Sequence, residues 1–220
     1  MKRLTFILLL LNGAVLVFAQ TPRAFIREMT GTVEIKRAGT ENWAPARLND
    51  AVAASTVIST GFKSTAVLAV GNSTITVRPL TRMSLETLMN SDNTEKVNVN
   101  LNTGKIRAEV KPPAGGKANF EVQSNKTTAS VRGTVFEMTA FKLSVVEGSV
   151  SFQPTGGNSR PVMVNAGQQS WVSDSGEALN PIAALEAELE LPPLSGRKGT
   201  AIGNGIKPNG SMAIILKPMR

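Results

Sequence analysis

The sequence predicts an all-β fold of stacked short strands, arranged either like a β-solenoid or as a sandwich. Three observations support this prediction. Apolar and polar residues alternate in one segment after another between Phe25 and Val172, glycine and asparagine separate these segments, and one glycine-containing phrase recurs four times. Alternation with a period of two is typical of a strand with one buried and one solvated face. Short strands divided by frequent turn signals favour an all-β protein.

The alternation identifies the strands one by one. In VNVNL (97–101), Val97, Val99 and Leu101 lie on one face and two asparagines on the other. TAVLAV (65–70) is apolar on both faces, which is typical of a more central strand. The same alternation marks the segments 32–36, 73–78, 105–111, 119–123, 149–153 and 162–166. We therefore expect one β domain over residues 24–176.

The recurring phrase places glycine two positions before a β-branched apolar residue. Its four copies are TGTVEI (30–35), TGKIRA (103–108), RGTVFE (132–137) and EGSVSF (147–152). Their spacing is uneven, so the phrase does not define a strict solenoid repeat. Glycine at this position would let the chain change direction as a strand begins.

One copy lies in a segment whose alternation is interrupted, TTASVRGTVFEMT (127–139). Val131 is apolar at an odd position, whereas Phe136 is apolar at an even one. One extra residue in a strand flips every later side chain to the other face, and Gly133 can adopt a positive φ without penalty. We expect a β-bulge there that carries the strand from one layer of the core to another. Arg132 would then point outward or reach a neighbouring carboxylate or carbonyl.

The character of the sequence changes after Gly176. In LNPIAALEAELELPP, Asn180 suits a helix cap and Pro181 the first helical position, so we predict one short amphipathic helix within residues 177–193. Residues 194–220 are rich in Gly and Pro, with five basic residues and no acidic one. They are expected to form a flexible basic tail with one candidate strand at 212–216.

The first nineteen residues have the pattern of a secretory leader. A basic head of Lys2 and Arg3 precedes an apolar stretch, and Val17-Phe18-Ala19 offers small residues where cleavage requires them. The alternative is an uncleaved membrane anchor, but the stretch is shorter than the roughly 20 apolar residues that span a bilayer. We expect cleavage near Ala19, no transmembrane segment afterwards, and a periplasmic or secreted bacterial protein. The net charge of +8 would fall to +6.

The composition argues against several kinds of chemistry. The chain has no His and no Cys, which removes the commonest general base, the commonest metal ligand and any disulfide. Ser195 and Lys198 have the spacing of serine–lysine acylases but lie in the Gly-rich tail, so we expect them to be solvated. Asp174 and Glu177 offer too few oxygens for calcium. We expect no cofactor, no metal site, no catalytic residue and no nucleic-acid partner.

The motifs also carry a family resemblance. Residues 129–136, ASVRGTVF, resemble the A-x-V-R-G-T-x-F signature of FecR-type domains, which are named for a bacterial iron-citrate sensor. The segments 31–52, 55–88, 101–110, 145–152 and 164–172 resemble the other elements of that family in the same order, so the resemblance covers about residues 25–175. It implies an extracytoplasmic all-β domain that acts as a sensor or scaffold.

The family resemblance implies a signalling role that this chain matches only in part. In the member for which the family is named, the domain relays a signal from an outer-membrane receptor to a sigma factor through one membrane helix. This chain lacks the cytoplasmic regulatory segment, so we expect a standalone secreted form.

We therefore expect a non-enzymatic, exported interaction module that binds an envelope protein. The alternative is a carbohydrate- or peptidoglycan-binding protein of the envelope, in which Trp43 and Trp171 would stack on sugars instead of packing in the core. Arg132, Gly133 and Thr134 are the other candidates for structural or partner-contact roles. The sequence alone does not predict the oligomeric state.

Overall fold

The computed structural model describes residues 24–156, 160–173 and 175–182 of the chain. Within them, the alternating segments form two large open sheets and essentially no helix, which confirms the all-β prediction. Only Pro181 and Ile182 have helical backbone, with the Ile182 N–H donating to Asn180 Oδ1 at 3.1 Å. The rest of the expected helix, the basic tail with its candidate strand, and the leader lie outside the described residues.

The first sheet has eight strands in the order β17-β14-β13-β10-β7-β6-β1-β4. They are β1 (Ala24–Thr30), β4 (Ala51–Val52), β6 (Thr65–Val70), β7 (Ser73–Val77), β10 (Lys105–Glu109), β13 (Val135–Thr139), β14 (Lys142–Glu147) and β17 (Gln169–Trp171).

The second sheet has nine strands in the order β16-β15-β12-β11-β9-β8-β5-β2-β3. They are β2 (Val33–Lys36), β3 (Trp43–Pro45), β5 (Thr56–Thr60), β8 (Arg82–Ser91), β9 (Thr94–Thr103), β11 (Lys117–Ser124), β12 (Thr127–Val131), β15 (Ser149–Pro154) and β16 (Val162–Asn165). Among the described pairs, β9 and β11 run parallel and the others antiparallel.

The two sheets face each other across one aliphatic core. The inward positions of both sheets join a single cluster of buried Val, Ile, Leu, Ala, Met and Phe side chains. Phe120 on β11 and Phe136 on β13 meet edge to face across it, with ring centroids 6.4 Å apart. The outward residues of both sheets remain half-buried or exposed, as expected for a two-layer sandwich.

The path of the chain is solenoid-like although the architecture is a sandwich. In both sheets the strands follow sequence order from one end to the other, apart from β3 and β4, which lie outside β2 and β1. The chain adds one or two strands to one sheet and then crosses to the other. The sequence left a β-solenoid and a sandwich open. The first describes the path of the chain, and the second describes how the two sheets pack.

The recurring phrase marks the crossings between sheets. Each of its four glycines lies between a strand of one sheet and a strand of the other, and each has a positive φ, between 74° and 90°. This confirms that the glycine of the phrase serves a change of direction. The crossing at Gly148 packs closely against the preceding crossing at Gly133. A Cβ at Gly148 would lie 2.9 Å from the carbonyl oxygen of Gly133.

The interrupted alternation at Gly133 also proves to be such a crossing. Val131 ends β12 in the nine-stranded sheet and Val135 begins β13 in the eight-stranded sheet, with Gly133 at φ +89° between them. The expected change of layer is confirmed, but the expected bulge within one strand is wrong. Three residues that belong to neither strand reset the alternation, so that Val131 and Phe136 both face the core, from opposite sides.

Candidate binding surface

A cluster of charges lies on the outer face of the eight-stranded sheet, around the carboxylate of Glu137. Arg78 Nη2 lies 3.1 Å from Glu137 Oε1, and Arg107 Nη1 lies 3.7 Å from the same oxygen. Lys105 Nζ lies 3.7 Å from Glu137 Oε2. One carboxylate thus holds three cations.

Strand register brings these residues together. Arg107 on β10 pairs directly with Glu137 on β13, and Lys105 lies two residues earlier on the same face of β10. Arg78 follows the last residue of β7, the strand on the other side of β10. Its backbone N–H donates to the carbonyl oxygen of Lys105 at 3.0 Å, which fixes the start of its side chain beside the cluster.

A groove continues from this cluster towards the end of the sheet. It has a volume of about 270 Å³ and is lined by Lys105, Glu137, Met138, Thr139, Lys142, Ser144 and Gln169. The Lys142 ammonium lies 5.3 Å from the ring centroid of Trp171 on the outermost strand, β17. We call Arg78, Lys105, Arg107, Glu137 and Lys142 the basic face. The three cations that surround the Glu137 carboxylate give this part of the basic face a net charge of +2.

The basic face can contribute little to folding. The side chains of Arg78, Lys105 and Arg107 are 37–50% exposed, and ion pairs at such exposure contribute roughly 0–1 kcal/mol each. A patch of excess positive charge instead attracts acidic groups and speeds their association. The arrangement is suited to binding an acidic surface.

The two tryptophans occupy different environments. Trp43 on edge strand β3 is 37% exposed, so the expectation that it packs in the core is wrong. The Arg82 guanidinium lies 5.2 Å and the Lys36 ammonium 6.0 Å from its ring centroid. Both distances are within the range of a cation–π contact. Trp171 is half-buried at the end of the basic face.

Arg132, Gly133 and Thr134 form the crossing described above and do not reach the basic face. Thr134 is buried, its carbonyl oxygen accepts the Val110 N–H at 2.8 Å, and its side chain fills the space left by Gly148. Arg132 is exposed, as expected, and makes no ion pair among the described residues.

Arg132 stands beside a second groove, on the outer face of the nine-stranded sheet. The groove has a volume of about 550 Å³. Its lining is mostly neutral and polar and includes Asn98, Asn119, Ser130, Ser149 and Ser151. This surface can offer many hydrogen bonds but has no concentration of one charge.

The side chain of Glu95 is a buried carboxyl group that the sequence pattern did not predict. Glu95 on β9 is 5% exposed and lies against Gly71, whose lack of a side chain leaves room for it. The Asn72 N–H donates to its Oε2 at 3.4 Å, while Oε1 has no hydrogen-bond partner among the described residues. Burial raises the pKa of the Glu95 carboxyl, and the Asn72 hydrogen bond opposes this only in part.

Sequence reasoning missed the basic face because its members are distant in the chain. Arg78 and Glu137 are 59 positions apart. The sequence does show charged residues at the outward positions of segments 105–111 and 135–139. Charges at such positions are expected on any solvated sheet face, so they did not predict a cluster. Of the other candidates, Asp174, Ser195 and Lys198 lie outside the described residues. No cluster of three or more potential metal ligands occurs in the described part of the chain.

The structure is an all-β domain of two sheets, and the basic face lies on the open outer surface of the eight-stranded sheet. Residues 56–151 match the family model described as FecR protein. This confirms the resemblance seen in the motifs. A match to this family indicates a sensor or signalling role in the cell envelope.

Two solved structures are similar to this chain. Both are crystal structures of a "putative anti-sigma factor" from Parabacteroides distasonis, at 2.50 and 1.65 Å, and both are 19% identical with a TM-score of 0.45. The matches cover 56% and 60% of this chain and 57% and 64% of those chains, so this chain spans less than two thirds of either. No curated protein matches the sequence significantly. In the described residues, no helix has the length and hydropathy needed to cross a bilayer.

Proposed function

We propose that this protein is an exported, non-enzymatic sensor or scaffold of the bacterial cell envelope that binds an acidic protein partner through its basic face. The FecR-type domain supports the regulatory role. The leader pattern at residues 1–19 supports export. The observation that carries the proposal is the cluster of three cations around the single carboxylate of Glu137, with a net charge of +2, on an exposed sheet face where it adds little to stability.

The geometry favours a partner that presents carboxylates along a strand or helix. Glu137 already occupies one side of each surrounding cation, so an arriving carboxylate would extend an existing network. Arg78 and Arg107 can bind a carboxylate with two parallel N–H donors. Trp171 adds an aromatic contact at the end of the row, next to Lys142.

A pull-down from cell-envelope extracts tests this proposal. The tagged chain is compared with a variant carrying Lys105→Ser and Lys142→Ser. The matched control carries Lys96→Ser and Lys117→Ser, which remove the same charge from the outer face of the other sheet. A discrete protein band that is retained by the wild type and the control, lost in the first variant, and weakened by salt supports the proposal. A band that is retained equally by all three proteins would refute binding through the basic face.

Export is tested separately, by cell fractionation and N-terminal sequencing of the mature protein. We expect a periplasmic or secreted chain that begins at Gln20. A chain that stays in the cytoplasm with residues 1–19 intact would remove the envelope location.

The second candidate is binding of peptidoglycan or another glycan. One observation favours it: the 550 Å³ groove on the nine-stranded sheet is lined by amides and hydroxyls, which suit sugar hydroxyls. Co-sedimentation with purified peptidoglycan tests it, and here the control pair is informative because Lys96 lines that groove. Sedimentation that Lys96→Ser reduces and Lys105→Ser does not would favour this candidate over the first.

A further inference from the structure

Three large apolar side chains project from turns at one end of the strands in the eight-stranded sheet. Phe62 is 74%, Leu80 60% and Phe141 55% exposed. We call these three residues the apolar edge. Exposed apolar residues scattered singly need no explanation, so the question is whether these three form one surface.

Backbone contacts between neighbouring turns place the three residues in one row. The Leu80 N–H donates to the carbonyl oxygen of Gly61, which precedes Phe62, at 3.2 Å. On the other side, Lys105 begins the strand next to Arg78 and pairs with Thr139. Phe141 follows Thr139 by two residues, in the turn between β13 and β14.

The three turns therefore belong to consecutive positions along one edge, over the strand order β14-β13-β10-β7-β6. With strands about 4.8 Å apart, four intervals give a row of roughly 19 Å.

Leu80 holds an unusual backbone conformation for a leucine. Its φ is +55°, in the left-handed region that leucine rarely adopts, and its side chain makes the residue 60% exposed. The fold would gain from glycine or asparagine at this position. Residues held in this region cluster at ligand clamps and switch regions, and Lys63 in the neighbouring turn shares it with φ +54°.

Basic residues surround the apolar edge. Lys63 directly follows Phe62, with its ammonium 5.7 Å from the phenyl centroid, and Lys142 directly follows Phe141. The other cations of this end of the sheet are Arg78, Lys105 and Lys126. The acidic residues that face it are Glu137, already bound by three cations, and the exposed Glu177. The balance is strongly positive.

We propose that the apolar edge docks on the anionic lipid surface of a membrane. Apolar tips that insert among headgroups, flanked by lysines and arginines that bind lipid phosphates, are the chemistry of interfacial membrane binding. Phe62 and Leu80 project from turns, and Phe141 borders an open hollow of about 580 Å³ whose lining includes Lys126. The apolar edge lies apart from the basic face but shares Arg78, Lys105 and Lys142 with it, so lipid and an acidic protein would compete for these three cations.

Vesicle co-sedimentation tests the proposal with the full chain. The wild type is compared with a triple variant, Phe62→Ser, Leu80→Asn and Phe141→Ser. The matched control carries Met89→Ser and Met163→Ser, which remove similarly exposed apolar side chains from the other sheet. Residues 1–19 are the same in all three proteins, so any binding that they contribute is common to them.

The expected result is binding to vesicles of phosphatidylglycerol and phosphatidylcholine that falls about fivefold or more in the triple variant and is unchanged in the control. Added salt should weaken it, and pure phosphatidylcholine should bind less. Equal binding by all three proteins would overturn the proposal. Binding that the triple variant retains and that Lys105→Ser with Lys142→Ser abolishes would also overturn it, because it would show attraction through the basic face alone.

A second measurement does not depend on the triple variant. Phe62→Trp places a fluorophore at an already exposed position, so folding should tolerate it. Its emission, corrected for that of the wild type, should shift to the blue on adding anionic vesicles. An unshifted spectrum at saturating lipid would show that the tip does not enter the bilayer interface.

Discussion

Replacing Gly148 by alanine tests whether the sheet-crossing corners stabilise the fold by packing against one another. Gly148 has φ +82°, and its nearest neighbours belong to the preceding crossing. An added Cβ would lie 2.9 Å from the carbonyl oxygen of Gly133 and 3.3 Å from Thr134 Cβ, and it would overlap Thr134 Cγ2. Two separate costs follow, one from the backbone conformation and one from the overlap.

The magnitudes can be estimated separately. A left-handed conformation costs an alanine about 1–2 kcal/mol relative to glycine. Overpacking against a carbonyl and a buried side chain adds about 1–3 kcal/mol. The free energy of unfolding should therefore fall by about 2–5 kcal/mol in Gly148→Ala. Gly39 provides the control, because its φ is +73° but no atom lies within 4 Å of the added Cβ. Gly39→Ala should lose only the conformational cost.

Urea unfolding at equilibrium measures both variants, and a melting curve gives an independent check at about 2–4 °C per kcal/mol. The informative quantity is the difference between the two variants, since it isolates the overlap. If Gly148→Ala and Gly39→Ala lower the free energy of unfolding equally, the crossings at Gly133 and Gly148 do not pack against each other, which would refute the prediction.

Three further predictions concern stability. Gly133→Val should cost about 2 kcal/mol or more, because it forces a β-branched residue into φ +89°; an unchanged melting temperature would contradict this. The raised pKa of Glu95 means that the folded state holds its proton more tightly, so stability should fall as the pH rises from about 4.3 through that raised pKa. Glu95→Gln should flatten this dependence and raise the melting temperature at pH 8, and an identical pH profile in both proteins would refute it. Removing residues 195–220 should leave the melting temperature unchanged, whereas a large loss would show that segment 212–216 completes the core.

The candidate sites show where prediction from sequence ended. The crossing at Arg132–Thr134 was predictable because a broken alternation and a glycine are local signals. The geometry of this crossing was not predictable, because a bulge within one strand and a passage between two sheets interrupt the alternation in the same way. Trp43 was expected in the core and lies at the surface, because its strand β3 is an edge strand and only the strand order reveals that.

The sequence by itself determined that the chain is all-β, which side chains face the core, and where glycines let the chain cross. These are properties of neighbouring residues: a period of two along a strand, and the freedom of glycine to adopt positive φ. Only the tertiary structure decided which strands are neighbours, and with them every surface that carries a proposed function. Arg78, Lys105 and Glu137 meet because β7, β10 and β13 lie side by side, and the apolar edge forms because the turns of those strands share one end of the sheet. Pairing between distant strands depends on the packing of the whole core, so no local pattern encodes it.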